Sequence, residues 1–141
     1  MAALSLSAVA VGVYSALNVA GLTALTSRIY DEVPALPPAS LYPCVAYTLS
    51  EDEARGMGTR EMSECTLRVS SFSQSATDAE GQAIAAKVKD LLKDATLSVS
   101  GYQMAGKVIH RSTLPLGTTV VNAQPVREWV SEFTVYVEAT S

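Results

Sequence analysis

Residues 61–72 read EMSECTLRVSSF, and a shorter segment before them, residues 44–49, reads CVAYTL. In the longer segment Cys65, Leu67 and Val69 alternate with polar residues, and in the shorter one the largest apolar side chains recur at every second position. Side chains two residues apart on a strand share one face, so both segments are predicted to be strands with a buried face. A polar, glycine-containing connection separates them, which predicts a long antiparallel hairpin.

The rest of the chain supplies helices and further strands around this hairpin. Helices are predicted at residues 4–18 and 78–93 from their apolar periodicity. Thr77 and Glu80 have the spacing of a capping box at the start of the second helix. The remaining patterns predict strands at residues 28–33, 96–101, 103–112 and 127–139, and irregular structure at residues 34–43 and 114–125. This order predicts a single α+β domain over residues 1–141, in which a mostly antiparallel β-sheet packs against two main helices.

The first 27 residues carry no charge, and most of them are Ala, Val or Leu. They lack the basic start of a signal peptide, and small polar residues dilute them too much for a membrane anchor, so a buried helix is the preferred interpretation. A helix that is apolar on nearly every face predicts that a neighbouring subunit covers part of it. The candidate subunit-interface residues are Leu6, Val9, Val13 and Leu17.

The low content of charged residues also favours contact between subunits. Charged residues make up 17% of the chain, below the roughly 25% that is usual in soluble domains. A surface with few charged residues is typical of contacts between subunits. The alternative explanation for the low charge content is a well-buried monomer. The net charge of −4 argues against a protein that grips nucleic-acid phosphates, although DNA could still pass it.

The residue types that usually carry catalysis are few and scattered. His110 is the only histidine, and the sequence identifies no partners for a catalytic triad or a histidine metal site. Cys44 and Cys65 lack metal-ligand spacing and are predicted to be buried, reduced core residues. The acidic run at residues 51–53 would suit a hard cation, but the pattern of a calcium loop is absent. We therefore expect no catalytic residue, cofactor or metal.

The connection of the hairpin concentrates the negative charge of the chain. Residues 50–65 contain five acids and two bases, a net charge of −3, whereas the rest of the chain has a net charge of −1. A solvated hairpin end explains this cluster without any function, and a surface that repels other anions is the functional alternative.

Three short stretches resemble the tail-completion (tail-terminator) family of long-tailed bacteriophages and gene-transfer agents. RIYDEVP at residues 28–34 is similar to the early RIYD-x-VP stretch of that family, and YPCVAY at residues 42–47 is similar to its YPYV strand opening. LKDATL at residues 92–97 resembles the turn that ends its amphipathic helix. The chain departs from the family at residues 26–27, where glycines are frequent, and at residues 116–119, where Asp-Gly is frequent.

The resemblance implies a structural virion protein without catalytic residues or a cofactor. Such proteins form a ring, implied here to be a homohexamer, that caps the tail tube, ends its polymerisation and joins the tail to the head. The implied partners are further copies of the chain, the tail tube protein and the head–tail connector or stopper protein, with no membrane. DNA passes through the lumen of such a ring without specific binding. The implied location is the tail or neck of a virion that is assembled in the host cytoplasm.

Two more surfaces are candidates for this role. Carboxylates repel DNA phosphates, so the acidic hairpin is predicted to lie near the lumen or at the tube-facing rim. Its candidate residues are Glu51, Asp52, Glu53, Arg55, Arg60, Glu61 and Glu64. The irregular segment mixes valines with turn residues, which predicts contact with a neighbouring protein. Its candidate residues are Leu116, Thr118, Thr119, Val120, Val121 and Asn122.

Two other functions are compatible with the sequence. A head-closure or adaptor protein of the phage neck would need similar surfaces, but it would bind filled heads rather than tail tubes. An enzyme or ligand-binding protein would use a pocket between the sheet and the helices. That class requires convergent polar groups or metal ligands, which the sequence does not show.

Overall fold

The alternating central segments form the middle of a β-sheet in the computed structural model, and two helices lie on one of its faces. The helices are α1 (Leu6–Leu17) and α2 (Ala79–Leu92), and the strands are β1 (Arg28–Asp31), β2 (Cys44–Glu51), β3 (Arg55–Met57), β4 (Arg60–Ser73), β5 (Tyr102–Met104), β6 (Ile109–Val121) and β7 (Gln124–Ala139). The structure describes residues 6–19, 22, 28–31, 43–51, 55–57, 60–74, 79–97, 99, 102–104, 106–121 and 124–139.

Antiparallel pairing dominates the sheet. The strand order is β1-β2-β4-β7-β5, with β3 beside β4 and β6 beside β7. The longest ladder joins β4 to β7, from the pair Met62–Glu138 to the pair Ser73–Arg127. β2 and β3 share the other edge of β4, and β5 and β6 share the other edge of β7. Only β1 and β2 are parallel among the described strands, so the predicted α+β class is confirmed.

Alternate residues of the central strands build the core between the sheet and the helices. Tyr47, Leu67 and Phe133, on three neighbouring strands, are at most 2% exposed. The Tyr47 hydroxyl donates a hydrogen bond to the Ala10 carbonyl at 3.3 Å, which links α1 to β2. Burying one large apolar side chain contributes about 1.5–3 kcal/mol. A slip of one residue between strands would expose this whole set, so the burial fixes the register.

Helix α2 lies on the same face of the sheet and begins beside the end of β4. Ile84, Val88 and Leu92 are buried, as the amphipathic pattern predicted. The Ser73 hydroxyl donates a hydrogen bond to the Glu80 carboxylate at 2.5 Å, which connects β4 to the first turn of α2. Thr77, the other half of the predicted capping box, lies outside the described residues.

The strand predicted at residues 96–101 is wrong for the residues described there. Leu97 and Val99 are buried in the core without belonging to a strand. Their alternate burial reproduces the pattern of a strand, although neither residue pairs with a described strand. The strand predicted at residues 103–112 is divided into β5 and the start of β6, with Gly106 at a φ of +110° between them.

The irregular structure predicted at residues 114–125 is also wrong. β6 continues through this segment and pairs with β7 up to the pair Val121–Gln124. Pro115 and Gly117 are accommodated by a β-bulge between them, and Gly117 has a φ of +108°, which a residue without Cβ adopts easily. In the described sheet β6 is an edge strand, where proline is tolerated because one side of the strand has no ladder to complete.

Gly81 of α2 packs against the indole of Trp129 on β7. A Cβ atom at Gly81 would lie 2.8 Å from Trp129 Cδ1 and 3.2 Å from Nε1. Alanine is favoured over glycine inside a helix by about 1 kcal/mol, but overpacking costs roughly 1–3 kcal/mol. We expect Gly81→Ala to lower the free energy of unfolding by about 1 kcal/mol in urea denaturation, because the overpacking term is the larger one.

The matched control is Gln82→Ala, on the exposed side of the same helix, which should leave stability unchanged or slightly raised. Trp129 is the only tryptophan, so a shift of its fluorescence should accompany Gly81→Ala alone. A Gly81→Ala protein with unchanged emission and the stability of the control would contradict this packing.

Candidate functional site

The predicted interface residues of α1 face the inside of their own chain. Val9, Val13 and Leu17 are 0% exposed and belong to the core. Leu6 lies in the first turn of the helix, where its side chain is not described. A contact of α1 with another chain would therefore involve its other side.

The outward side of α1 is also apolar. Val11, Tyr14 and Val19, the last just beyond the end of the helix, are 66%, 43% and 37% exposed. These residues do not stand out in the sequence, because an uncharged helix has no polar face that marks the side in contact with water. The i, i+3 spacing of Val11 and Tyr14 is the signal that could have defined a second apolar stripe.

The acidic hairpin ends in a short additional strand pair. β3 pairs with the first residues of β4, beside the end of β2, so the backbones of Glu51, Arg55, Arg60, Glu61 and Glu64 lie at one end of the sheet. The Glu64 carboxylate accepts a hydrogen bond from the Tyr136 hydroxyl of β7 at 3.2 Å. Four further candidates have a described backbone but no described side chain: Glu51, Arg55, Arg60 and Glu61. Asp52 and Glu53 lie outside the described residues.

The predicted contact residues after residue 114 lie on the edge strand β6. Leu116 and Val120 are 57% and 70% exposed, which is unusual for large apolar side chains of a strand. Thr118, Thr119 and Val121 lie in the same strand, and Asn122 lies outside the described residues. The strand thus presents apolar side chains together with a backbone edge that has no partner among the described strands.

The face of the sheet opposite the helices forms an open depression of about 410 Å³. Leu114 and Val130 line part of it, together with hydroxyl groups. Arg68 Nε donates to Glu132 Oε2 at 3.2 Å across β4 and β7, where the two residues lie directly opposite each other. An exposed pair of this kind contributes at most about 1 kcal/mol. The described lining contains neither histidine nor cysteine, so it suits a surface contact better than covalent chemistry.

His110 belongs to a small polar chain at the start of β6. Its ring contacts Phe133 edge-on, with the ring centroids 5.3 Å apart. His110 Nε2 lies 2.7 Å from the Thr113 hydroxyl, which lies 2.9 Å from the Ser131 hydroxyl. Ser131 is 1% exposed, whereas His110 and Thr113 are half-buried, and the hydrogen bonds of this chain join β6 to β7.

The described residues do not support a metal site, a membrane-spanning helix or a reactive thiol. Within the described part of the chain, no cluster of three or more His, Cys, Asp or Glu residues could hold a metal ion. No described helix has the length and hydropathy that a membrane span requires. Cys44 and Cys65 are free thiols with 0% exposure, which confirms that they are core residues.

Comparisons with known proteins identify relatives along nearly the whole chain. A family model described as "Tail completion protein gp17" matches residues 12–130, from within α1 to within β7. A chain of the solved structure titled "Virion of native gene transfer agent (GTA) particle" is 26% identical, with a TM-score of 0.79. That alignment covers 98% of this chain and 100% of the other. No curated protein matches the sequence significantly.

Burial raises the pKa of the Cys44 thiol to about 11. At pH 8 only about a thousandth of such a thiol is ionised, and the thiolate is the reactive form. We expect neither cysteine to react with dithionitrobenzoate in the folded protein at pH 8, and both to react in guanidinium chloride. A thiol that reacts within seconds without denaturant would contradict the burial.

The pKa of His110 lies below its ordinary value of 6.5. The main cause is the loss of hydration on burial, and the positive charges of Lys89 and Lys93 lower the pKa further. His110 therefore binds a proton more readily in the unfolded chain than in the folded chain. The contribution of neutral His110 to the free energy of unfolding is present above pH 6.5 and is lost as the pH falls. We expect the urea midpoint to fall between pH 7.5 and pH 5. The fall should be smaller in His110→Asn, and an equal fall in both proteins would contradict the lowered pKa.

Proposed function

The chain belongs to the tail completion protein gp17 family, and we propose that it forms a ring that closes the tail tube of a virion. It is a structural protein of the virion tail or neck, in agreement with the resemblance found in its sequence. The family match, which runs through nearly every described element, is the observation that carries the proposal. In this role the ring ends the polymerisation of the tube and offers its other side to the head-side connector.

A closed ring requires that each subunit offer two different faces to its neighbours. The sheet ends at β1 on one side and at β5 and β6 on the other. Among the described strands, β1 pairs only with β2, and β6 pairs only with β7. Backbone groups at these two edges are available for pairing with another chain, which would also protect them from aggregation.

The exposed apolar side chains provide the contact energy that assembly needs. Val11 and Tyr14 on the outward side of α1 are the surface that we assign to the neighbouring subunit, in place of the buried side. Leu116 and Val120 near the end of the β6–β7 hairpin are assigned to contact with another tail protein. Each Å² of apolar surface removed from water contributes about 25 cal/mol.

We assign the acidic hairpin to the lumen or to the rim that faces the tube. DNA has to traverse the tail without being held, and carboxylates repel phosphates without making specific contacts. The net charge of −3 over residues 50–65 supports this assignment. A position of this hairpin on the outer circumference of the assembled ring, seen by electron microscopy, would contradict it.

The proposal is tested by mixing the purified protein with tail tubes of the same particle and measuring assembly by native mass and electron microscopy. We expect ring-shaped particles, and tubes that carry a ring at one end and stop growing. Val11→Asp should weaken ring formation about tenfold or more, because it places a charge in an apolar contact. Gln82→Asp, which adds the same charge on the exposed side of α2, is the matched control and should assemble normally.

The same experiment distinguishes the proposal from its alternatives. Binding to filled heads instead of tubes would identify a head-closure or adaptor protein of the neck. A protein that stays monomeric in the presence of tubes and heads would contradict both of these functions.

A further inference from the structure

The depression on the open face of the sheet contains a carboxylate whose charge is not compensated. Glu128 of β7 lines the depression and is half-buried, and in the described part of the chain it forms neither an ion pair nor a hydrogen bond through its side chain. The other charged residues of the lining are Arg68 and Glu132, which pair with each other. One uncompensated negative charge therefore remains in the depression, and it belongs to Glu128.

The register of the sheet explains why Glu128 has no partner there. The residues opposite Glu128 are Phe72 on β4 and Gly117 on β6. Neither has a polar side chain, so the usual cross-strand pairing of opposite charges is not available to this carboxylate. Its charge is left to water or to a cation from another molecule.

Ser70 of β4 adds a second polar group that the described structure does not use. Ser70 lines the same depression and is 8% exposed, and its hydroxyl makes no hydrogen bond in the described part of the chain. Buried hydroxyl groups nearly always have a hydrogen-bond partner. Ser70 pairs with Val130, two residues from Glu128 on β7, so Ser70 and Glu128 are diagonal neighbours on one face. The hydroxyl and the carboxylate can therefore accept hydrogen bonds from the same cation.

The free edge of β6 gives an extended segment access to this site. In the described sheet β6 pairs only with β7, so its outer edge can receive another strand. Gly117 leaves a gap on that edge, because a Cβ atom built there would have no atom of the described structure within 4 Å apart from its chain neighbours. An added strand would lie two strand spacings, or roughly 10 Å, from β7. Only a long side chain passing over Gly117 would reach Glu128.

The apolar part of the lining suits the same kind of side chain. Leu114 and Leu116 of β6 are exposed, and Val130 of β7 is half-buried beside them. Lysine and arginine combine a long aliphatic stem with a cationic end, so the stem contacts apolar surface while the charge meets a carboxylate. A bound metal ion fits less well, because a hard cation needs more oxygen ligands than one carboxylate and one hydroxyl.

We propose that the outer edge of β6 receives an extended segment of a neighbouring virion protein, and that a lysine or arginine of this segment binds Glu128 and Ser70 in the depression. This inference rests on the proposed function and specifies the chemistry of the partner that Leu116 contacts. The backbone hydrogen bonds of the added strand supply affinity, and the position of its cation selects the register. A second copy of the chain is the less suitable occupant, because its own net charge of −4 adds repulsion.

Photocrosslinking identifies the occupant. The protein with p-benzoylphenylalanine at position 116 is mixed separately with tail tubes and with filled heads of the same particle, and the crosslinked peptides are sequenced by mass spectrometry. We expect a crosslink to a tube or connector protein, next to a lysine or arginine. A crosslink to another copy of this chain, or to a segment without a basic residue, would overturn the inference.

Removal of one charge tests the role of Glu128. Glu128→Gln keeps the size of the side chain and should weaken binding to the crosslinked partner about tenfold at roughly 0.1 M salt, with a smaller further loss as the salt is raised. Asp90→Asn is the matched control, because it removes the same charge from an exposed position on α2, which lies on the other face of the sheet. Asp90→Asn should bind like the wild type. Both variants should form rings and unfold thermally like the wild type.

A compensating change tests the contact directly. Glu128→Lys should bind the partner poorly, and so should the wild type when the crosslinked basic residue of the partner is replaced by glutamate. The two changes together should restore binding to within a fewfold of the original pair, which a merely structural role of Glu128 would not produce.

The failure of this contact is distinguishable from the failure of the proposed function. Wild-type binding by Glu128→Gln would overturn the contact while rings and capped tubes still form. A wild-type protein that forms no ring and binds neither tubes nor heads would refute the proposed function, and the contact with it.

Discussion

The ladder between β4 and β7 is the interaction on which the rest of the structure depends. It pairs the twelve residues from Met62 to Ser73 with those from Glu138 to Arg127. Every other described strand except β1 pairs with one of these two strands, and β1 is added through β2. The register of this ladder decides which side chains face the helices and which face the open side. A change in it would displace the core and both exposed edges at once.

This ladder also produces a molecule with very different faces. On one side, residues such as Leu67 and Phe133 are buried under α1 and α2. On the other side, the strands carry hydroxyl groups, aliphatic side chains and the exposed pair of Arg68 and Glu132. The two ends of the sheet have free backbone edges in the described part of the chain. Such an arrangement provides several separate surfaces for neighbouring proteins, which agrees with a structural role in a virion.

The sequence predicted the elements whose patterns depend on local physics. Period-two alternation identified the β2–β4 hairpin, and helical periodicity with its buried face identified α2. The errors occurred where tertiary structure overrides local signals. Pro115 and Gly117 indicated a loop, but a bulge on an edge strand accommodates both. Leu97 and Val99 alternate like strand residues because both are buried, although neither belongs to a described strand.

The candidate surfaces were predicted less completely, for a related reason. The absence of charge from α1 predicts that both of its sides are covered. It does not show which side packs against the core of the same chain and which side another chain covers. Val13 faces the core and Val11 faces outwards, although the two residues are chemically identical. Charge was more informative, because the acidic connection could be recognised without any structure.

Apolar surfaces alone do not determine how neighbouring subunits are oriented. Exposed valines and free strand edges promote association with many partners and in many orientations. A heterologous contact with a poorly defined angle extends into a filament, whereas a ring closes only at one rotation. Apolar burial supplies the affinity of such contacts, so the shape of the surfaces and directional hydrogen bonds have to fix the angle at which the ring closes.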